Sequence, residues 1–317
     1  MRLLRATEEQ KRERDLVTYA AWGMRLTVAQ YAAREIRLRS HPWTRQVMDT
    51  WLWVGEGGEV LSSCETLRME ALWRRGGEVR PVTAYTVASV FTEERLRGRR
   101  YASAMLERLH GQLAAEDSAA KAVVLYSDVD AAIYERAGYS APRAVFDWVF
   151  SAEPGRAGEG VDALIGEREV AAALARVPRP EVPFLIWPSA GQVDWHLERE
   201  RLYAEFLGRP RPEAAGARVG NSTALWAMTG RGKLEVLVFH AEGPREASAL
   251  LRAARRAGAQ GGAEKVHLWE PALPFAWLRP EDGGTRIPRD GSLPMIHPLD
   301  PALRPEDWQG LTRSSWG

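Results

Sequence analysis

The stretch from Thr86 to Ser127 constrains the fold of this 317-residue chain more than any other. It begins with TVASVF, rich in β-branched and aromatic residues that pack well on a pleated surface. Four arginines then crowd around Gly98 in ERLRGRR. Apolar residues at Ala102, Met105, Leu106, Leu109 and Leu113 form the stripe a helix needs to bury one side. AKAVVLYS, ending at Ser127, reads as a buried strand. Strand, charged glycine turn, helix and strand in this order set down an α/β layer. They also place Arg97 to Arg99 where the first backbone amides of a helix lack intrahelical partners and can face an anion.

The flanking sequence extends that layer. Leu26, Ala29, Ala33 and Ile36 recur at helical intervals, which predicts a helix from Asp15 to Leu38. TWLWVGEGGEVLSSCETLRMEALW suggests two strands turning at Gly55 to Gly58, with a further turn at Arg74 to Gly77 and extended chain from Val79 to Thr92. VDAAIYERAGY reads as a short helix ending at Gly138, and Val145 to Phe150 as a strand. SAEPGRAGEG breaks the pattern, so it is expected to link one α/β domain at 1–152 to a second at 153–317. In the second domain WHLERERLYAEFLG reads as a helix, ALWAMT, LEVLVFH and KVHLWE as strands, and Glu246 to Gly258 as another helix. No tandem repeat is evident.

Composition narrows the function. The 43 Lys and Arg against 42 Asp and Glu give a net charge of +1, which argues against nucleic-acid or anionic-membrane binding and makes any anion site local. The one cysteine, Cys64, excludes an intrachain disulfide framework and a multi-cysteine zinc site, and agrees with a reducing compartment. No HExxH, Walker or GxGxxG string is present, and no metal is expected. Nothing in the sequence reads as a secretion signal or a membrane span, so a cytoplasmic enzyme is expected.

VASVFTEERLRGRRYASAMLERL resembles the acyl-CoA pyrophosphate loop and following helix of the GCN5-related N-acetyltransferase (GNAT) superfamily. Members place Arg or Gln, two residues, Gly, one residue, then Gly or Ala at this turn. Here the string runs from Arg95 through Gly98 to Arg100, so the first glycine matches and the second small residue does not. VVLYSDVDAAIYERAGY resembles the superfamily's later strand and helix, in which a tyrosine before a glycine-aromatic pair lies near the CoA sulfur. That tyrosine corresponds to Tyr134, followed by Gly138 and Tyr139. With LSSCETLRM and VDWHLERERLYAEFLG added, the chain is similar to the fungal lysine side-chain acetyltransferases. The resemblance implies a GNAT fold with a second C-terminal α/β domain that shapes the acceptor pocket. It also implies transfer of acetyl from acetyl-CoA, the cosubstrate, to a small-molecule amine such as the side chain of free lysine.

Acetyl transfer from a thioester needs a neutral amine, stabilisation of the developing oxyanion and protonation of the departing thiolate. The resemblance assigns the oxyanion donor to the backbone at Val90 and Phe91, and CoA phosphate contacts to Arg95, Arg97, Gly98, Arg99, Arg100 and Tyr101. Tyr134 is the expected acid, ahead of Tyr126 and Tyr139. Glu65 is a candidate base, or Glu35 brought in from the early helix. An arginine could hold an acceptor carboxylate, and Asp194 or Glu65 an ammonium, with Trp195 and His196 bordering the pocket. Cys64 is read as structural or pocket-lining rather than nucleophilic. Acetylation of protein lysine or an antibiotic, and a noncatalytic acyl-CoA-binding role, are the alternatives.

Overall fold

The computed structural model describes every residue except 24, 142–143, 156–157, 159, 271–282 and 317. The expected linker therefore lies partly outside the described residues. The chain opens with strand β1 (Arg2–Arg5) and helices α1 (Glu8–Trp22) and α2 (Val28–Arg39). The single helix expected from Asp15 to Leu38 is two helices. Thr27 accepts from the Gln30 amide while the Gln30 side chain accepts from the Thr27 amide, a capping box that starts a new helix beyond Gly23.

Next come α3 (Thr44–Val47), β2 (Met48–Val54), β3 (Val60–Arg75), β4 (Glu78–Phe91), α4 (Tyr101–Glu116), β5 (Ala120–Ser127) and α5 (Ala132–Glu135). β6 (Phe146–Ser151), β7 (Asp162–Leu164), α6 (Glu167–Leu174), β8 (Phe184–Ile186) and α7 (Ala190–Leu207) follow. The chain continues through β9 (Gly216–Val219), β10 (Ser222–Met228), β11 (Leu234–His240), α8 (Pro244–Gln260), β12 (Lys265–Trp269), β13 (Gly284–Pro288) and β14 (Leu293–Pro298).

These strands build two sheets. The first has the order β1-β2-β3-β4-β5-β14, with β8 also paired to β3; the second runs β13-β6-β12-β11-β10-β9-β7. The expected α/β class with a second α/β unit is what the chain adopts. Sheet membership does not follow the 152/153 division, however. β6 pairs with β12, and β14 returns to pair antiparallel with β5. Among the described residues, each sheet contains one parallel pair of strands bridged by a helix: β4 and β5 around α4, β11 and β12 around α8.

Residue alternation sends the first sheet's side chains into two cores. Val123 and Leu125 pack with Met105, Leu106 and Leu109 of α4, whereas Ala122 and Val124 join Phe184, Ile296 and Trp308. The second sheet is apolar on one face, where Val236, Val266 and Leu268 meet Leu250, Leu251 and Ala254 of α8. Its other face carries Asp147, Glu235, His267 and Trp269, which line a broad cleft.

Candidate functional site

The first sheet opens where β4 and β5 separate. Their parallel register ends at Val87 and Leu125, yet β4 runs on to Phe91. On the other side of β4, Ser63 pairs with Phe91 and Glu65 with Ala88, so Ser89 and Val90 form a bulge without ladder partners. Ser89 has φ of 52°, a left-handed conformation that a non-glycine residue adopts at a cost. Arg14, buried on α1, holds the bulge. Its Nη2 donates to the Ser89 carbonyl at 2.9 Å, its Nε to Ser63 Oγ at 3.0 Å and its Nη1 to Glu65 Oε1 at 3.2 Å.

Beyond the bulge, the buried Leu96 anchors the turn that carries the arginines. Gly98 and Arg100 both have left-handed backbones, with φ of 78° and 61°, and the space around a Cβ at Gly98 is open. The turn delivers the chain to α4, whose N-cap makes no side-chain cap bond. The amides of Gly98, Arg99 and Arg100 have no acceptor among the described residues, as an anion-binding turn requires. Arg95 pairs with Glu93 at 2.9 Å, and Arg97 donates to the Thr92 carbonyl at 3.2 Å. Arg99 and Arg100 are exposed and have no such local partner among the described residues. Arg100, which stands where a small residue was expected, thus has a left-handed backbone.

The cleft of about 560 Å³ lies between the two sheets. Ser89, Val90 and Tyr134 line it at the opened strands, Glu35 and Glu65 beside them, and Trp195 and His196 from α7. Tyr134 is largely buried, and desolvation, with the Asp128 charge adding to it, pushes its phenol up to about 12. It therefore stays protonated. His196 donates from Nε2 to the Ser314 carbonyl at 3.0 Å, and burial holds its pKa down to about 3, so the ring is neutral.

Other expected residues are engaged in contacts of their own or buried. Asp194 is not part of the cleft wall: His41 meets one carboxylate oxygen at 2.9 Å and Arg201 the other at 3.1 Å. Phe91 packs edge-on against Trp22, with ring centroids 5.6 Å apart. Glu35 is ion-paired to Arg34, and Glu65 to Arg14, so both carboxylates have cationic partners. Cys64 is fully buried, and burial pushes its thiol up to about 12, which leaves almost no thiolate for attack. Tyr126 donates to or accepts from Ser315 Oγ at 2.9 Å, and Tyr139 meets His110 Nε2 at 2.9 Å.

The far wall was not anticipated. Asp147, Glu235, His267, Arg289 and Arg313 converge around Trp269 there. The available signal was a single polar residue inside an apolar strand, Glu235 in LEVLVFH and His267 in KVHLWE. No local motif pointed to Arg289 or Arg313.

Similar solved structures share this architecture. A GCN5-related N-acetyltransferase from Kribbella flavida aligns with a TM-score of 0.60 at 20% identity, covering 94% of this chain and 72% of that one. Eis1 from Mycobacterium abscessus aligns at 0.58 and 14%, covering 95% and 74%. The chain has the fold of the GNAT superfamily. Residues 165–297 of this GNAT-fold chain match the LYC1 GNAT-like C-terminal domain family. A lysine acetyltransferase of Yarrowia lipolytica is 23% identical over 266 residues, 66% of this chain and 67% of that protein. Among the described residues, no helix is long and apolar enough to cross a membrane.

Proposed function

We propose that this chain transfers acetyl from acetyl-CoA to a primary amine of a small molecule, with the side-chain amine of free lysine as the favoured acceptor. The observation that carries this reading is the conjunction of unpaired β4 backbone at Ser89 and Val90, protonated Tyr134 on the same cleft, and the free amides of the Gly98 turn next door in sequence. The amides and the exposed Arg99 and Arg100 suit the diphosphate of a CoA ester. Similarity to the Yarrowia lysine acetyltransferase supports the acceptor class.

In this reading the acceptor nitrogen attacks the thioester carbonyl carbon. The C–N bond forms, the oxyanion is met by backbone N–H in the bulge, and the C–S bond breaks as the tetrahedral centre collapses. Tyr134 donates a hydrogen bond to the departing sulfur. Because its phenol is pushed up to about 12, well above a thiol, it eases thiolate departure more by that bond than by releasing its proton outright. The amine enters neutral, and the proton that its nitrogen sheds as the C–N bond forms passes to the departing thiolate or to water, since Glu35 and Glu65 are each paired with arginine.

The test is a panel of amines incubated with acetyl-CoA and the full chain, with products read by mass spectrometry and CoA release by thiol titration. Acetylation of free L-lysine on its side-chain nitrogen is expected. CoA binding with no amine-dependent thiol release would sink the reading.

A further inference from the structure

On the side of the cleft that carries Trp269, two arginines are buried with part of their hydrogen-bonding capacity unused. Arg289 donates from Nε to Asp147 Oδ1 at 2.7 Å and from Nη2 to the Phe146 carbonyl at 3.4 Å. Its Nη1 has no partner among the described residues. Arg313 approaches Glu235 Oε2 at 3.7 Å, too far for a hydrogen bond, and its Nη1 is likewise unpartnered, as is Oε2 of Glu235. Both guanidinium groups lie against one indole, 3.9 Å and 5.3 Å from the ring centre of Trp269. Side-chain exposure is 2% for Arg289 and 11% for Arg313.

Such an arrangement is costly when left empty. A buried donor without an acceptor forfeits its hydration, and a buried cation lacking close contact with its counter-ion forfeits more. Burial already lowers the Arg313 pKa to about 10, as expected of a cation short of compensation. The sequence spends a good deal to hold it there. Ser315 is tied to Tyr126 at 2.9 Å, the Ser314 carbonyl accepts from His196, and the Arg313 guanidinium stacks 4.1 Å from the Trp316 ring centre.

From this geometry we infer that Arg289 and Arg313 form a clamp for the carboxylate of the acceptor, with Glu235 receiving its α-ammonium. The ligand class is an α-amino acid with a second amine at the end of its side chain. A carboxylate supplies the acceptors that the two Nη1 atoms lack, and an α-ammonium supplies the donor that Glu235 Oε2 lacks. With its head group fixed against Trp269, the amino acid has its side chain left to run along the cleft toward Ser89 and Tyr134, so the distal amine is the one presented for acylation. The clamp deepens the acetyl-transfer proposal and rests on it only for the direction in which the side chain points.

The experiment compares three probes by calorimetric titration into the CoA-saturated full chain and by turnover with acetyl-CoA. These are L-lysine, cadaverine (which lacks the carboxylate) and ε-aminocaproate (which lacks the α-amine). L-lysine is expected to bind at least about 10-fold more tightly than either analogue. Arg313→Gln should abolish the preference over cadaverine, Arg313→Lys should restore only part of it, and Glu235→Gln should abolish the preference over ε-aminocaproate. The lysine variant retains the charge, so the comparison holds even where the glutamine variant folds poorly. Equal binding of L-lysine and cadaverine to the wild-type chain overturns the clamp, as does a preference that survives Arg313→Gln. If L-lysine binds as expected but no amine is acetylated, the clamp stands and the acetyl-transfer reading falls. If lysine and cadaverine are acetylated equally well, the reverse holds.

Discussion

Tyr134 has a protonated phenol at the opened strands and a ring that contributes to the core beside Tyr139, with centroids 6.1 Å apart. Tyr134→Phe keeps the ring and deletes only the donor. Turnover is expected to fall about 100-fold with little change in acetyl-CoA affinity, read from kcat and from calorimetric Kd; unchanged kcat would remove the hydroxyl from the chemistry. Arg100 poses a different balance, because its φ of 61° strains any L side chain. Arg100→Gly should raise stability by up to about 1 kcal/mol in chemical denaturation. The same change should raise the KM for acetyl-CoA severalfold through the lost guanidinium, and a simultaneous fall in both quantities would contradict this account. His110, hydrogen-bonded to Tyr139 and stacked 3.9 Å from His297, is held by burial at about 3 against an ordinary 6.5. Its folded pKa is depressed, so the unfolded chain takes up the proton first. The stability is complete above 6.5 and is lost as pH falls toward about 3, at about 1.4 kcal/mol per pH unit. Denaturation of His110→Asn across that window should give a slope shallower by about that amount.

At the scale of elements, the strand-turn-helix-strand unit from Thr86 to Ser127 was legible because each piece announces itself locally. AKAVVLYS coincides with β5, and the stripe from Ala102 to Leu113 lies within α4. The β4 bulge was not legible, since it arises from the register between β3 and β4 and is held by Arg14 from a third element. Nor was the split between α1 and α2 foreseen, although T-x-x-Q at Thr27 carried the signal. Tyr134 and Val90 could be named from resemblance and Glu65 from its place near a central strand, and all three line the cleft, whereas Asp194 could not be assigned to either side of α7 without knowing what packs against it. The Arg14–Glu65 pair supplies a prediction at this scale. Both side chains are about 95% buried, at 5% and 6% exposure, so removing one leaves the other charged and unpaired. Arg14→Leu or Glu65→Leu alone should destabilise by about 3–5 kcal/mol, and the double variant by clearly less than their sum. A double-mutant cycle in urea checks it; additive losses would mean that the pair does not organise the bulge.

For the whole molecule, the two sheets exchange strands. β6 follows the first sheet's α5 yet pairs with β12, while β14 follows the second sheet's β13 yet pairs with β5. β8 and the segment around Trp308 also cross over: Phe184 and Trp308 are almost completely buried against Leu67, Met69 and Val124. This arrangement was hidden in the sequence because strand pairing between residues 123 and 297 leaves no local trace, and it bears directly on the cleft. The cleft takes Tyr134 from one half and Glu235, Arg289 and Arg313 from the other, and the exchanged strands fix the distance between those walls. A fragment comprising residues 1–152 retains β1 to β5 but leaves the β5 edge bare and an entire apolar face without Phe184, Ile296 and Trp308. Burying those groups is worth several kcal/mol each, and a domain has only about 5–15 kcal/mol to lose. The fragment is therefore expected to show no cooperative thermal transition by circular dichroism and to bind a hydrophobic dye, while the full chain melts sharply and does not. A fragment that melted cooperatively within a few degrees of the full chain would mean that the strand exchange serves the cleft alone and is not needed to complete the first sheet.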